Sequence, residues 1–213
     1  ALTRPFFLGA TELTQAQWQA VMGSDLARFK GNYRPVENVS WDDAMEFCRK
    51  LNQRERAARR LPAGWEFTLP TEAQWEFACR AGTTGEYAGN LPSMGWYVKN
   101  SGSEPHEVAM KLPNAWGLYD MHGNVWEWCL DFYSDYPSDG ASVSDPAGPP
   151  PDLRRAAAHE AGRVLRGGSF DSLAGTCGSA ARTSAVQRHS QGFTRGGTGS
   201  ACFGFRLALV PSR

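Results

Sequence analysis

Apolar positions recur at helical spacing in three short stretches of this chain and lose any regular period over most of the remainder. Between Thr11 and Gly23, Trp18, Val21 and Met22 form one apolar stripe, and Thr14 stands where an N-cap is needed. A second helix is predicted from Ser40. Ser40 with Asp43 spells a capping box, and Ala44, Phe47, Cys48 and Leu51 share one face. Its far end, Arg54 to Arg60, is a charge run expected at a solvated helix end or loop. A third helix follows Pro70, with Thr71 and Gln74 as another capping box, Trp75 and Ala78 facing inward, and Gly82 as the C-cap.

Beyond these helices the pattern changes. Thr83 to Trp116 is Gly-rich and studded with aromatics, which predicts loops with short strands. Leu118 to Tyr133 is apolar and aromatic around Gly123-Asn124, and Ser134 to Gly162 is a turn-rich surface insertion. The expectation is an α+β fold with few regular strands and much coil, formed as a single domain over 1–213.

The C-terminal part is the most distinctive. Arg163-Val-Leu-Arg-Gly-Gly-Ser-Phe170 and Gly204-Phe-Arg-Leu-Ala208 both read as strand and turn, but the 34 residues from Phe170 to Phe203 do not. Gly, Ser, Ala and Thr fill 20 of those positions, and Lys, Glu, Asn, Pro, Met, Trp and Tyr are absent. Short side chains without a period cannot make a self-sufficient helix or sheet face. Framework brackets the segment on both sides, so it is expected to be a displayed surface, the setting in which binding residues concentrate.

Charge and cysteine content narrow the possibilities. Twenty-two basic residues balance 22 acidic ones, so nothing favours a nucleic-acid partner. No apolar run is long enough to span a bilayer, and the chain is expected to act as a monomer. Five cysteines at wide spacing fit neither a disulfide framework nor a CxxC metal knuckle, and Cys48 and Cys79 fall on apolar helix faces as packing residues.

Six stretches, in order, carry a family resemblance: Thr11-Glu-Leu-Thr-Gln-Ala-Gln-Trp18, Pro35-Val-Glu-Asn-Val-Ser-Trp41, Leu69-Pro-Thr-Glu-Ala-Gln-Trp-Glu76, Asn114 to Cys129, Arg163 to Ser169, and Gly204-Phe-Arg206. Together they resemble the formylglycine-generating-enzyme-like (sulfatase-modifying factor) domain, whose fold is a C-type-lectin-like variant. The resemblance implies that Trp75, Trp116, Trp126, Trp128 and the Arg166-Gly167-Gly168 turn are framework. It also implies a structural calcium held by the Asp120 and Glu127 carboxylates with the Gly123 and Val125 carbonyls, hard oxygen donors that suit Ca²⁺. The alternative is that Asp120 and Glu127 cap turns and pair with Arg166 or Arg206.

Two functions follow from the resemblance. The oxidase of the family needs two cysteine thiolates for Cu(I). Here the first of those positions is Ser172 and the second is Cys177, so the pair is incomplete and no catalytic metal is expected. The histidines (106, 122, 159 and 189) lack a metal-ligand spacing. The second function is that of the variable proteins of diversity-generating retroelements, which this chain resembles in layout. In them the region between Gly-Gly-Ser and Gly-Phe-Arg is diversified and binds ligand. Randomised Asn codons never yield Lys, Glu, Gln, Met or Trp, and the 170–203 segment obeys that restriction apart from Gln187 and Gln191. The implied ligand-binding surface comprises Phe170, Asp171, Ser172, Leu173, Thr176, Gly178, Thr183, Ser184, Arg188, His189, Phe193, Thr194 and Arg195. Its partner is expected to be a protein or surface ligand.

Overall fold

Three reciprocal capping boxes set where the helices begin. In the computed structural model, which describes residues 1–135, 143–148, 162–186 and 203–212, the Thr14, Ser40 and Thr71 hydroxyls each accept from the backbone N–H three residues on. The side chains of Gln17, Asp43 and Gln74 accept in return from the cap N–H groups. These close the N-termini of α1 (Gln15–Met22), α2 (Trp41–Ala57) and α3 (Glu72–Arg80). In α2, Asp42 and Asp43 at the first turn and Arg54 and Arg56 at the last complement the helix dipole. One expectation about helix ends needs correcting. The left-handed C-cap of α3 is Ala81 at φ 45°, with Gly82 following in the same region.

Two small sheets flank these helices. β1 (Phe7–Leu8) and β2 (Trp65–Thr68) pair antiparallel on either side of β7 (Ala208–Pro211), so the two ends of the chain meet in one sheet. The second sheet has the order β5-β4-β3-β6, with β3 (Trp126–Phe132), β4 (Gly162–Arg166), β5 (Arg182–Val186) and β6 (Phe203–Gly204). β3 and β4 are antiparallel with an irregularity between Trp128 and Phe132, and β6 lies parallel to β3. From Thr83 to Trp116 the only regular element among the described residues is a short helix, α4 (Leu91–Met94), where strands were expected. The loops there are satisfied by bonds to distant backbone and side chains, as in Asn124 N–H to Trp96 O at 2.8 Å.

The main core lies between α1, α2 and the second sheet, with Trp18 stacked on Phe47 and both edge-on to Phe205. Trp128, Leu165 and Phe170 extend it under the sheet. A second cluster holds Trp75, Cys79, Met121, Cys129 and Val164 beneath α3. Of the four framework tryptophans, Trp75, Trp126 and Trp128 are buried. Trp116 is not: it is 50% exposed and packs edge-on against the exposed Phe77. Most of the described insertion expected at 134–162 consists of Ser144 to Gly148, and Asp145 N–H bonds the Ala1 carbonyl.

Candidate ligand-binding surface

The 170–186 stretch hangs from β4 by a Gly-Gly turn. Gly167 (φ 93°) and Gly168 (φ 76°) both adopt left-handed backbone. A Cβ on Gly168 would stand 2.6 Å from Cys177 Sγ and 2.9 Å from Thr176 O, so only glycine lets the following 3₁₀ turn (Ala174–Cys177) pack back on the strand end. Ser169 N–H donates to Ser172 Oγ at 3.0 Å, and Ser169 Oγ donates to Asp171 Oδ1 at 2.6 Å. The turn is then tied to two distant loops. Phe170 N–H donates to Asn124 O, Ser101 Oγ donates to Phe170 O, and Val98 N–H donates to Ser172 O. Farther along, Ser179 N–H bonds Glu86 O.

His122 supplies another tie. It is fully buried. Its Nε2 accepts from Ala88 N–H at 3.0 Å, so the proton sits on Nδ1, which donates to Cys177 O at 2.8 Å. Burial holds its pKa below the usual histidine value. The chain crossing that places His122 is itself tight. A Cβ on Gly95 would lie 1.9 Å from His122 O, and one on Gly123 would lie 2.1 Å from Trp96 O.

β5 is the next anchor, and it corrects the expectation of an irregular surface throughout. Arg182 to Val186 pair in full register with β4. The Arg182 guanidinium forks onto Glu72 at 2.8 and 2.6 Å, donates to Ser134 O and lies over the Tyr133 ring. Glu72 also meets Arg166, which bonds Glu76, so α3 is riveted to β4 and β5 through charge-assisted bonds. Thr183 is half-buried, and Ala185 packs on the main core.

The expected surface residues therefore divide. Phe170 is 1% exposed and sits edge-on to Phe29 inside the core, so it cannot serve as a ligand anchor. Gly178 is buried. Asp171 and Ser172 are half-buried and spend their polar atoms on the turn. Leu173 (71% exposed), Thr176 and Ser184 face outward. Arg188, His189, Phe193, Thr194 and Arg195 lie outside the described residues. Three further positions were missed in sequence. Gly175 has open space where a Cβ would be, Ala180 is exposed, and Val98 (44% exposed) is bonded to the segment through its N–H. Open Cβ space at Gly175 has no sequence signal; Val98 could not be placed without the fold. A concavity of about 910 Å³ elsewhere, lined by Leu2, Trp41, Gln74, Asp145, Arg163 and Val210 among others, contains no residue of 170–186.

The positions that the resemblance links to metals make other bonds here. Cys177 is buried and its Sγ lies 3.7 Å from Leu173 O; burial pushes its thiol up to about 12, far from a ready thiolate. Ser172 Oγ sits 2.9 Å from Ser169 Oγ. Glu127 accepts a guanidinium fork from Arg206 and the indole N–H of Trp75. Asp120 accepts from Ala109 N–H, and burial pushes its carboxyl up to about 6. Gly123 and Val125 lie in the same buried turn, where Val125 N–H donates to Glu12. Glu12, which sequence reading passed over, is buried beside them, and its pKa is raised by burial and by the charges of Asp120 and Glu127.

Residues 1–210 match the Sulfatase-modifying factor enzyme 1-like domain. The chain belongs to that family. Its relatives in the sulfatase-modifying family include a formylglycine-generating enzyme of Streptomyces coelicolor, 35% identical over 74% of this chain and 50% of that protein. The chaperone protein LppX of Paenibacillus barcinonensis is 31% identical over 61% of this chain and 63% of that one. Among solved structures, the variable protein 1 of Treponema denticola superposes with a TM-score of 0.82 at 33% identity, covering 99% of this chain and 86% of the other. The fold is thus the C-type-lectin-like variant expected, and the likeness extends to a variable protein of a diversity-generating retroelement. The chain spans 40% to 63% of the length of the first curated relatives it matches. No helix among the described residues is long and apolar enough to cross a membrane.

Proposed function

We propose that this member of the sulfatase-modifying family is a ligand-binding variable protein that recognises a protein or surface ligand through side chains displayed between 171 and 203. The observation that carries this reading is the division within 170–186. Backbone and deep side chains are fixed by Phe170, Cys177, Gly178 and Arg182, while Leu173, Gly175, Thr176, Ala180 and Ser184 are exposed. Exposed changes on such a frame cost within about 0.5 kcal/mol, so binding specificity can vary while the fold is kept. The likeness to the Treponema variable protein over nearly the whole chain supports the same reading. Val98, exposed and bonded through its N–H to Ser172 O, extends the surface beyond the segment itself.

The oxidase chemistry of other family members is the alternative, and the chemistry of its two key positions opposes it. Cu(I) is stabilised by soft thiolates, and a serine hydroxyl at 172 is a hard, protonated donor. Desolvation also opposes ionisation of Cys177. Cu(I) titration of the reduced protein tests this reading: tight stoichiometric binding lost in Cys177→Ser would restore the oxidase.

A substitution scan of 170–186 in a surface-display format, sorted by protease resistance, tests the proposed division. Leu173, Gly175, Thr176 and Ser184 are expected to accept nearly any residue. Phe170, Cys177 and Arg182 are expected to accept almost none. Equal tolerance at the two sets would remove the structural basis of the proposal.

A further inference from the structure

We infer that the domain carries its own internal cation: the Arg206 guanidinium does the work that a structural calcium would do at the Asp120–Glu127 turn, and the turn binds no calcium. Arg206 is fully buried. Its Nε donates to Glu127 Oε2 at 2.6 Å and its Nη2 to Glu127 Oε1 at 2.7 Å. Nη1 reaches Gly9 O at 3.0 Å and Nη2 also reaches Tyr119 O at 2.9 Å. One side chain, from the link between β6 and β7, thus gathers the segment after β1, the loop before Asp120 and strand β3. Gathering carbonyls and a carboxylate from separate segments around a positive charge is what a structural calcium does.

The carboxylate oxygens left over do not make a calcium shell. Glu12, Asp120 and Glu127 have six carboxylate oxygens between them. Both oxygens of Glu12 accept, from Val125 N–H and Asn124 Nδ2; both of Glu127 accept, from Arg206 and Trp75; and Asp120 Oδ2 accepts from Ala109 N–H. Of these six oxygens only Asp120 Oδ1 is buried without a hydrogen-bond partner. Calcium takes six to eight oxygens, and a divalent ion bridging Asp120 to Glu127 would have to displace the guanidinium or stand against it. Among the described residues no cluster of three or more acidic, histidine or cysteine side chains is placed to hold a metal. Bidentate guanidinium–carboxylate geometry supplies orientation that a point charge lacks.

The test uses the whole chain. Protein stripped with EDTA is melted with chelator present and again in about 1 mM CaCl₂, and is titrated with Tb³⁺ while tryptophan-sensitised luminescence is followed. The expected result is the same melting temperature in both buffers and no saturable luminescence, whereas a well-occupied site would raise the melting temperature by several degrees. Glu127→Gln is expected to lower the melting temperature by roughly 10 °C in chelator and in calcium alike, because it breaks the Arg206 pair. A calcium-dependent rise in the wild type, saturable terbium binding lost in Glu127→Gln, or a Glu127→Gln loss seen only with calcium would each overturn the inference. If Glu127→Gln fails to fold, the wild-type comparison decides by itself.

Discussion

Phe170 separates a displayed segment from an anchored one, because its position in sequence and its position in space point to opposite roles. Its side chain is 1% exposed, packs edge-on to Phe29 with ring centroids 5.6 Å apart, and belongs to the main core with Trp128 and Leu165. Truncation to alanine removes an aromatic ring that buries on the order of 150 Å² of apolar area, worth ~4 kcal/mol at about 25 cal/mol per Å². Phe→Ala changes in cores cost about 3–5 kcal/mol, so the two routes agree. The backbone ties of residue 170, to Asn124 O and Ser101 Oγ, survive the substitution. The matched control is Leu173→Ala, three residues away and 71% exposed, with an expected cost within about 0.5 kcal/mol. Urea unfolding and thermal melts, both followed by tryptophan fluorescence, measure the two variants. The expected melting-temperature losses are roughly 6–20 °C for Phe170→Ala and at most about 2 °C for Leu173→Ala. A Phe170→Ala protein as stable as Leu173→Ala would refute the anchoring of the segment at its first residue.

Two further predictions test the frame around that segment. Asp131 is buried, accepts from Glu72 N–H at 2.7 Å at the start of α3, and is pushed up to about 6 chiefly by burial. A carboxyl raised in the folded state adds stability that is complete below its unfolded pKa near 4 and is lost as pH rises through about 6. Chemical denaturation of wild type and Asp131→Asn between pH 4 and 7.5 should show the wild type losing ~1–2 kcal/mol relative to the variant as pH rises; parallel pH profiles would contradict it. Gly95→Ala puts a Cβ 1.9 Å from His122 O at the crossing that seats His122 under Cys177. It should cost more than about 4 kcal/mol or prevent folding, while Gly175→Ala, with open space, should stay within about 0.5 kcal/mol. Equal melting temperatures for the two would show the crossing to be far looser than drawn.

The helices were legible because their signals are local. A capping box needs only residues three apart in sequence; both predicted boxes formed, and the Thr14 N-cap closes a third with Gln17. β5 was hidden because Arg-Thr-Ser-Ala-Val carries little apolar signal of its own and becomes a strand only by pairing with β4. Phe170 read as a surface anchor because its neighbours are small and polar; its burial depends on Phe29, which is 141 residues earlier. The same non-locality hid the His122–Cys177 tie and the Gly95–Gly123 crossing. Which of the described residues of the segment face outward was not readable from composition, since that depends on loops at 86–101 and helix α3 folding against it.

Deep sequencing of the encoding gene from a clonal population tests the central claim most directly. The account predicts variation clustered within codons 171–203, concentrated at Leu173, Gly175, Thr176 and Ser184 among the described positions. The codons of Arg163 to Phe170, Cys177, Arg182 and Gly204 to Ala208 should be constant. Variation spread evenly along the gene, or striking Phe170, Cys177 and Arg182 as often as Leu173 and Thr176, would contradict it.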